Sequence, residues 1–316
     1  MTRRVNVAIL VLLAVAFLIV IQRNLLSLND FLRKEAPDTV SGAILPFESE
    51  VSPGVRQDSK RTGDEVPVVL TASEDRLGAV VAAMNSIYQN SKANVVFTIV
   101  TLNHTVDHLN EWMSKTSLNN VKYKIIVFKP DVLNGKISNN AKRLETLKPL
   151  SFARFYLPLY LPEAEKAVYL DDDVIVQGDI RELYETSLKL GNAAAFSDDC
   201  DSASSKGIVH RAGNQNNYMG FLDFKKEAIK KLGMRAKTCS FNPGVIVANL
   251  TEWRSQNISG QLEHWMELNA KEDLYSNTLE DIITPPLLIV FYKHHTSLDP
   301  MWHVRHLGTY HRLEPT

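Results

Sequence analysis

The sequence predicts an α/β fold built on a mainly parallel sheet, and three observations point there. Apolar runs rich in β-branched residues recur along the chain, segments of helical period separate them, and the runs are continuous rather than alternating. Strands that are apolar on both sides belong to sheets covered on both faces, and intervening helices supply the crossovers that parallel strands need. In order, VPVVLTAS (Val66–Ser73) reads as a strand and LGAVVAAMNSIYQNS after it as a helix of small residues. VVFTIVTL (Val95–Leu102) is a second strand, followed by VDHLNEWMSKTSL, in which Leu109, Trp112 and Met113 have helical spacing. YKIIVFK is a third strand, and SFARFYLPLYL (Ser151–Leu161) is helical until its prolines. KAVYL and VIVQ read as one strand interrupted by aspartates; DIRELYETSL is a helix with Asp179 near its start. AAAFSD, FNPGVIVANL and PPLLIVFYK (Pro285–Lys293) add strands, with WRSQNISGQLEHWMELN as an intervening helix. No internal repeat is evident.

The 316 residues are 45% hydrophobic and carry a formal net charge of −1, which gives no support for a nucleic-acid binder. The two cysteines, Cys200 and Cys239, exclude a disulfide scaffold and a Cys-rich zinc module. They could pair in an oxidising lumen or remain two buried thiols. At the N-terminus MTRR precedes an apolar run from Val5 to Ile21, which Leu25, Leu26 and Leu28 extend toward bilayer length. IQRNLLSL offers no small-residue cleavage site, so an uncleaved signal-anchor is expected rather than a removed signal peptide. Arg3 and Arg4 favour a cytoplasmic N-terminus, giving a single-pass type II membrane protein. The expected organisation is a cytoplasmic tail (1–5), a transmembrane helix (6–26), a flexible Pro/Gly-punctuated luminal stem (27–64), a catalytic domain (65–302) and a divergent tail (303–316). Three sequons, at Asn103, Asn249 and Asn257, agree with luminal exposure and N-glycosylation.

The chemistry concentrates in KAVYLDDDVIVQG, where Asp171, Asp172 and Asp173 break an apolar run. An unpaired buried carboxylate costs several kcal/mol, so positive charge must lie near. If the strand continues through them, Asp171 and Asp173 share one face and Asp172 points to the other. The tip of a parallel strand is where such sheets bind ligands, and paired carboxylates suit a hard cation such as Mn²⁺ or Mg²⁺, with phosphate oxygens completing its shell. The alternative is an acidic surface turn, or negative charge at the start of the helix near Asp179.

Together with FARFYLP upstream and FNPGVIVANLTEW downstream, YLDDDVIVQGDI resembles glycosyltransferase family 8. The resemblance implies a GT-A (Rossmann-like) nucleotide-sugar-binding fold, a UDP-hexose donor, Mn²⁺, retention of anomeric configuration and a Golgi or other secretory-pathway membrane. It also implies an acceptor, glycan or protein, that the sequence does not identify. By the same resemblance Asp171 and Asp173 are the outer members of an Asp-x-Asp motif, binding metal and serving catalysis, with Asp172 against the donor ribose. The end of the first strand, Thr71-Ala72-Ser73-Glu74-Asp75-Arg76, matches the loop around the nucleobase and ribose. Ser73 there replaces an acidic residue, and Arg76 stands where an aromatic often stacks on uracil, a role a guanidinium can share. Arg154 matches a residue contacting the donor sugar or phosphate, and is compatible with a salt bridge to the aspartates. Asn242 and Gly244 match the segment lining the sugar pocket, a tight turn being the plainer reading.

Two departures bear on activity. ITPPLLIV stands where family members carry an Asp-Gln-Asp segment, and the role does not transfer to nearby Glu280 or Asp281. The family's C-terminal His-x-x-Gly-x-x-Lys-Pro-Trp, which supplies a histidine metal ligand and a phosphate lysine, has no match in HVRHLGTYHRLEPT, so neither His303 nor His306 is assigned. A shortened C-terminus is the expected reason. Two functions therefore compete: a metal-dependent retaining hexosyltransferase, and a non-catalytic member of the fold that binds nucleotide or a partner. A soluble nucleotidyltransferase or Rossmann dehydrogenase is disfavoured, since LTASEDRLG is not a Gly-rich phosphate loop and neither explains the N-terminal anchor.

Overall fold

In the computed structural model the described residues are 64–137, 148–200, 217–275 and 282–304, together with the backbone of 47–50. The expected transmembrane helix, most of the stem and the tail beyond residue 304 lie outside them. Among the described residues no helix is long and apolar enough to cross a membrane.

Strand β1 (Phe47–Glu50) is followed by β2 (Glu65–Ala72), helix α1 (Leu77–Asn90), β3 (Asn94–Thr101), α2 (Val106–Lys115) and β4 (Lys122–Phe128). A 3-10 helix, Pro149–Tyr156, runs into the short α3 (Leu157–Tyr160), then β5 (Lys166–Leu170), α4 (Ile180–Tyr184) and β6 (Ala194–Asp198). The remainder is α5 (Glu227–Lys231), β7 (Phe241–Asn249), α6 (Leu250–Ser255), α7 (Ile258–Glu272), α8 (Thr284–Val290) and β8 (Thr296–Ser297). The eight strands form one sheet in the order β1-β4-β3-β2-β5-β7-β6-β8. Strands β4, β3, β2 and β5 are parallel neighbours, β7 runs antiparallel to β5 and β6, and β8 is parallel to β6.

Alternation along the strands divides the core in two. Val68, Leu70, Ile99, Val168 and Leu170 face Leu77, Val80, Met84 and Leu109 of α1 and α2. Val69, Val100, Tyr169 and Ile246 face Phe152, Phe155, Trp253 and Leu262 on the other side. From β2 the chain proceeds through β3 to β4 in one direction, then returns and lays β5 on the opposite flank of β2. The order of strands thus reverses between β2 and β5, the place where open α/β sheets form ligand crevices beyond the strands' carboxyl ends.

Five expectations change at this level. PPLLIVFYK is not a strand: Pro285 and Pro286 occupy the first turn of α8, where a missing N–H costs nothing, and Leu287 and Leu288 are buried around it. A short apolar run fits a buried helix as well as a strand. VIVQ does not resume β5; the Val176 N–H donates to Ser86 Oγ at 3.0 Å and its carbonyl accepts from Asn90 Nδ2 at 2.8 Å, so α1 takes the place of a strand partner. The segment around Pro158 does not end at its proline, which lies in the first turn of α3. The helix expected from Trp253 to Asn269 is two, broken at Asn257, whose φ of 49° is left-handed. The expected stem contributes β1, an edge strand antiparallel to β4.

Cys200 and Cys239 form a disulfide with a Cα–Cα distance of 5.8 Å, so they are not the two thiols that composition left open. The bridge sits where the β6–β7 connection leaves the sheet, next to the Asp199 N–H···O=C Ser240 bond of 2.8 Å.

Candidate active site

The carboxylate run lies at the switch point, and β5 stops just before it. One ladder bond continues past Leu170: the Asp171 N–H donates to the Gly244 carbonyl of β7 at 2.9 Å. Asp171 is therefore still in register with the strand, two residues beyond Tyr169 and on the same face. That face is covered by the 3-10 helix Pro149–Tyr156, which delivers Arg154. Its Nη2 reaches Asp171 Oδ1 at 2.7 Å and its Nη1 lies 3.5 Å from Oδ2. Nη1 also donates to the Pro243 carbonyl at 3.0 Å and Nε to the Ser151 carbonyl at 3.2 Å, while the guanidinium lies 4.9 Å from the Tyr169 ring centre. Burial opposes the charge on Arg154, but the adjacent Asp171 outweighs it and holds the group above its ordinary pKa. Tyr169 Oη donates to Asp171 Oδ1 at 2.9 Å, and burial pushes the phenol's pKa up.

Beyond Asp171 the chain turns, so Asp171 and Asp173 do not share a strand face as expected. Arg76, from the loop after β2, places Nε 2.8 Å from Asp172 Oδ2 and Nη2 3.5 Å from Asp173 Oδ2. Burial pushes the Asp172 carboxyl up to about 6; Arg76 pulls it down, and Asp171 and Asp173 push it further up. The three carboxylates differ in access: side-chain exposure is 28% for Asp171, 16% for Asp172 and 67% for Asp173.

Gly244 is part of the same construction. A Cβ there would stand 2.9 Å from Asp171 Oδ2 and 3.1 Å from Asn242 Oδ1, so only glycine lets the Asp171 carboxylate lie against β7. Asn242 Oδ1 accepts the Gly244 N–H at 2.8 Å, fixing that turn of backbone. On the β2 side, Ala72 is buried, and its carbonyl accepts from Thr101 Oγ1 at 2.6 Å. The Arg76 N–H closes the loop onto the Ser73 carbonyl at 3.0 Å, and a hydrogen bond from Ser73 holds the Asp75 carboxyl below its ordinary range.

Around the switch point the structure thus joins Asp171, Asp172, Asp173, Arg76, Arg154, Asn242 and Gly244, and places Ala72, Ser73 and Asp75 on the adjoining loop. Sequence reasoning missed Tyr169; its spacing of two from Asp171 on one strand was the available signal. Of the sequon asparagines, Asn103 and Asn257 are exposed, whereas Asn249 is half-buried and caps α6, its Oδ1 accepting the Glu252 N–H at 3.0 Å.

Whether these residues suit a divalent cation is decided by charge and donor type. Three carboxylates face two guanidiniums, which leaves negative charge in excess at the tip. The donors are all oxygen, as Mn²⁺ or Mg²⁺ prefers. Among the described residues no group of three or more His, Cys, Asp or Glu side chains is arranged to hold a metal ion. The residues therefore fit a cation that takes one or two protein carboxylates and fills its shell from phosphate and water, the usual habit of Mg²⁺.

Comparison with known proteins agrees with this architecture. The family model described as "Glycosyl transferase family 8" matches residues 67–315. Glycosyltransferase 8 domain-containing protein 1 of Danio rerio is 70% identical over 307 residues, covering 97% of this chain and 83% of the relative. The Homo sapiens protein of that name is 57% identical over 309 residues, with the same 97% and 83% coverage. Glycosyltransferase 8 domain-containing protein 2 of Mus musculus is 51% identical over 268 residues, 84% of this chain and 76% of the relative. Among solved structures, galactosyltransferase LgtC in complex with donor and acceptor sugar analogues superposes with a TM-score of 0.53 at 19% identity over 73% of each chain. The apo bifunctional glycosyltransferase WbbM gives 0.52 at 19% identity, over 74% of this chain and 38% of that one. At such identity these structures show a shared GT-A-like α/β fold and nothing finer. With the family model spanning most of the sequence and close relatives spanning nearly all of it, the chain belongs to glycosyltransferase family 8.

Proposed function

We propose that this protein is a retaining hexosyltransferase that transfers a hexose from a UDP-sugar to a glycan or protein acceptor, using Mn²⁺ or Mg²⁺. The observation that carries the reading is the meeting, across the switch point, of the loop after β2 with the loop after β5, through Arg76 and Asp172 at 2.8 Å. Nucleotides bind such crevices in open α/β sheets. Asp171 and Asp173 would hold the cation, which supplies Lewis-acid stabilisation of charge on the departing diphosphate. Arg154 and Tyr169 fix Asp171 in one orientation. Ala72, Ser73, Asp75 and Arg76 would receive the nucleoside, with Asp172 beside the ribose and Asn242 and Gly244 beside the sugar. LgtC, in the structure bearing donor and acceptor sugar analogues, has the same fold. The proposed setting is a type II membrane protein of the Golgi or another secretory-pathway membrane; the disulfide supports an oxidising lumen.

A second reading, a non-catalytic member that binds nucleotide, is favoured by ITPPLLIV, which stands where the family resemblance expects an Asp-Gln-Asp segment. Thermal unfolding with UDP, with and without Mn²⁺, tests the donor site. A stabilisation requiring both, about 2.7 kcal/mol at a hundredfold excess over Kd, is expected. Asp173→Asn should remove the Mn²⁺-dependent part, and an unchanged shift would count against its assignment. UDP-sugar hydrolysis then separates the two readings: turnover supports the transferase, while binding without turnover supports the non-catalytic protein.

A further inference from the structure

The two arginines of the site are held differently. Arg154 is walled in, with 11% of its side chain exposed, and its donors are spread over Asp171 and two backbone carbonyls. It cannot leave without stranding three acceptors. Arg76 has 37% of its side chain exposed, and its ion pairs are with Asp172 and Asp173, the second at 3.5 Å. Its backbone is fixed independently, by the bond to the Ser73 carbonyl and by its place at the start of α1. The side chain can therefore swing while the loop stays. It also rises from the loop expected to receive the nucleoside.

We infer that Arg76 is an exchangeable counter-charge, which occupies Asp172 and Asp173 in the ligand-free protein and releases them when a divalent cation arrives with a nucleoside diphosphate. A bare cation must displace a guanidinium from the carboxylates with no compensation to that guanidinium. A cation accompanied by diphosphate offers it new oxygens, which guanidinium binds through paired hydrogen bonds, or a base face on which to stack. The exchange makes metal and nucleotide binding cooperative, and it makes Arg76 a positioning residue for the donor. This inference rests on the nucleotide-sugar reading above and adds an order of events to it.

The test uses the 316-residue chain, with Mn²⁺ binding followed by the electron paramagnetic resonance of the free ion, with and without UDP. In Arg76→Gln the displaced charge is gone but hydrogen-bonding capacity remains. Mn²⁺ alone should bind that variant about tenfold tighter than the wild type, and the gain in Mn²⁺ affinity on adding UDP should shrink about tenfold. Arg76→Lys, which keeps the charge, should bind Mn²⁺ alone as the wild type does, showing that charge and not a change in fold is responsible. Equal Mn²⁺ affinity in wild type and Arg76→Gln, with the UDP-dependent gain intact in both, overturns the exchange and leaves the donor-site reading standing. Failure of all three proteins to bind Mn²⁺ even with UDP overturns both.

Discussion

Arg154→Met is the most informative perturbation of stability, because the structure specifies what each lost atom leaves behind. Methionine fills much of the buried volume but supplies no charge and no donor. Asp171 loses its 2.7 Å partner, and the carbonyls of Pro243 and Ser151 lose bonds of 3.0 and 3.2 Å. Breaking a buried ion pair by removing one partner costs about 3–5 kcal/mol. Because the Asp171 side chain keeps 28% exposure and the hydroxyl of Tyr169, the lower part of that range applies. At roughly 2–4 °C per kcal/mol for a domain of this size, the melting temperature should fall by about 10 °C. Asp171→Asn in the same background isolates the charge. If the penalty is the stranded carboxylate, the double variant should recover part of the loss, with a coupling of about 1–3 kcal/mol in the cycle. Circular dichroism melts of the four proteins supply the measurement. A loss under 1 kcal/mol in Arg154→Met, or strict additivity in the cycle, would refute the assignment of Arg154 as the counter-charge that lets this strand end in a carboxylate.

The remaining expectations follow from single features of the structure. Gly244→Ala should cost about 1–3 kcal/mol and reduce UDP–Mn²⁺ stabilisation in the same thermal assay, since Asp171 is tied by Arg154 and Tyr169 and cannot retreat from the new methyl. A Gly244→Ala protein with unaltered binding would remove Asp171 from the site. Cys239→Ser opens a bridge of sequence separation 39 and should cost about 4 kcal/mol by loop entropy, read from urea midpoints of oxidised protein. Asp198→Asn tests the pair with His295, in which Nε2 lies 3.4 Å from Asp198 Oδ1 and that hydrogen bond holds the Asp198 carboxyl below its ordinary value. A carboxylate with a depressed native pKa stabilises the fold above its unfolded pKa and loses that contribution as pH falls through the native value. The Asn variant should therefore melt below the wild type at neutral pH, and the gap should close as pH falls below about 4. A gap independent of pH would place the effect in packing rather than in charge.

The parallel half of the sheet was legible because its strands are apolar on both faces, and a run such as VPVVLTA has no other comfortable state. The helix α8 was not, because ITPPLLIV is apolar throughout and carries no period; the prolines that start it look, in a string, like strand breakers. The loops of the candidate site are legible from Asp171–Asp173 and from the end of β2, yet the reason they meet is the strand order, and nothing local encodes that β5 lies beside β2. For the same reason the counter-charges could be guessed only in part. Arg154 is within reach as a partner of the aspartates, whereas nothing in the sequence pairs Arg76 with Asp172, where the structure places it.

The pairing of Arg76 with Asp172 bears on how a carboxylate run can be both foldable and receptive. The chain must reach its native state before any ligand arrives, so the protein itself has to supply positive charge at the tip of β5. Were both guanidiniums as immobile as Arg154, an incoming divalent ion would find fewer carboxylate oxygens free to turn toward it. Were neither present, desolvating Asp171 and Asp172 together would cost several kcal/mol per charge. The structure grades the two demands along three residues. Asp171 Oδ1 is held by a buried arginine and a tyrosine hydroxyl, while Oδ2 lies against the bare backbone of Gly244 with the nearest guanidinium nitrogen at 3.5 Å. Asp173 stays open to solvent with a partner at 3.5 Å, and Asp172 lies between them, shared with a guanidinium that has room to move. Stability is invested at the inner end of the run and exchangeability at the outer end, which is the order in which a ligand entering from solvent would meet them.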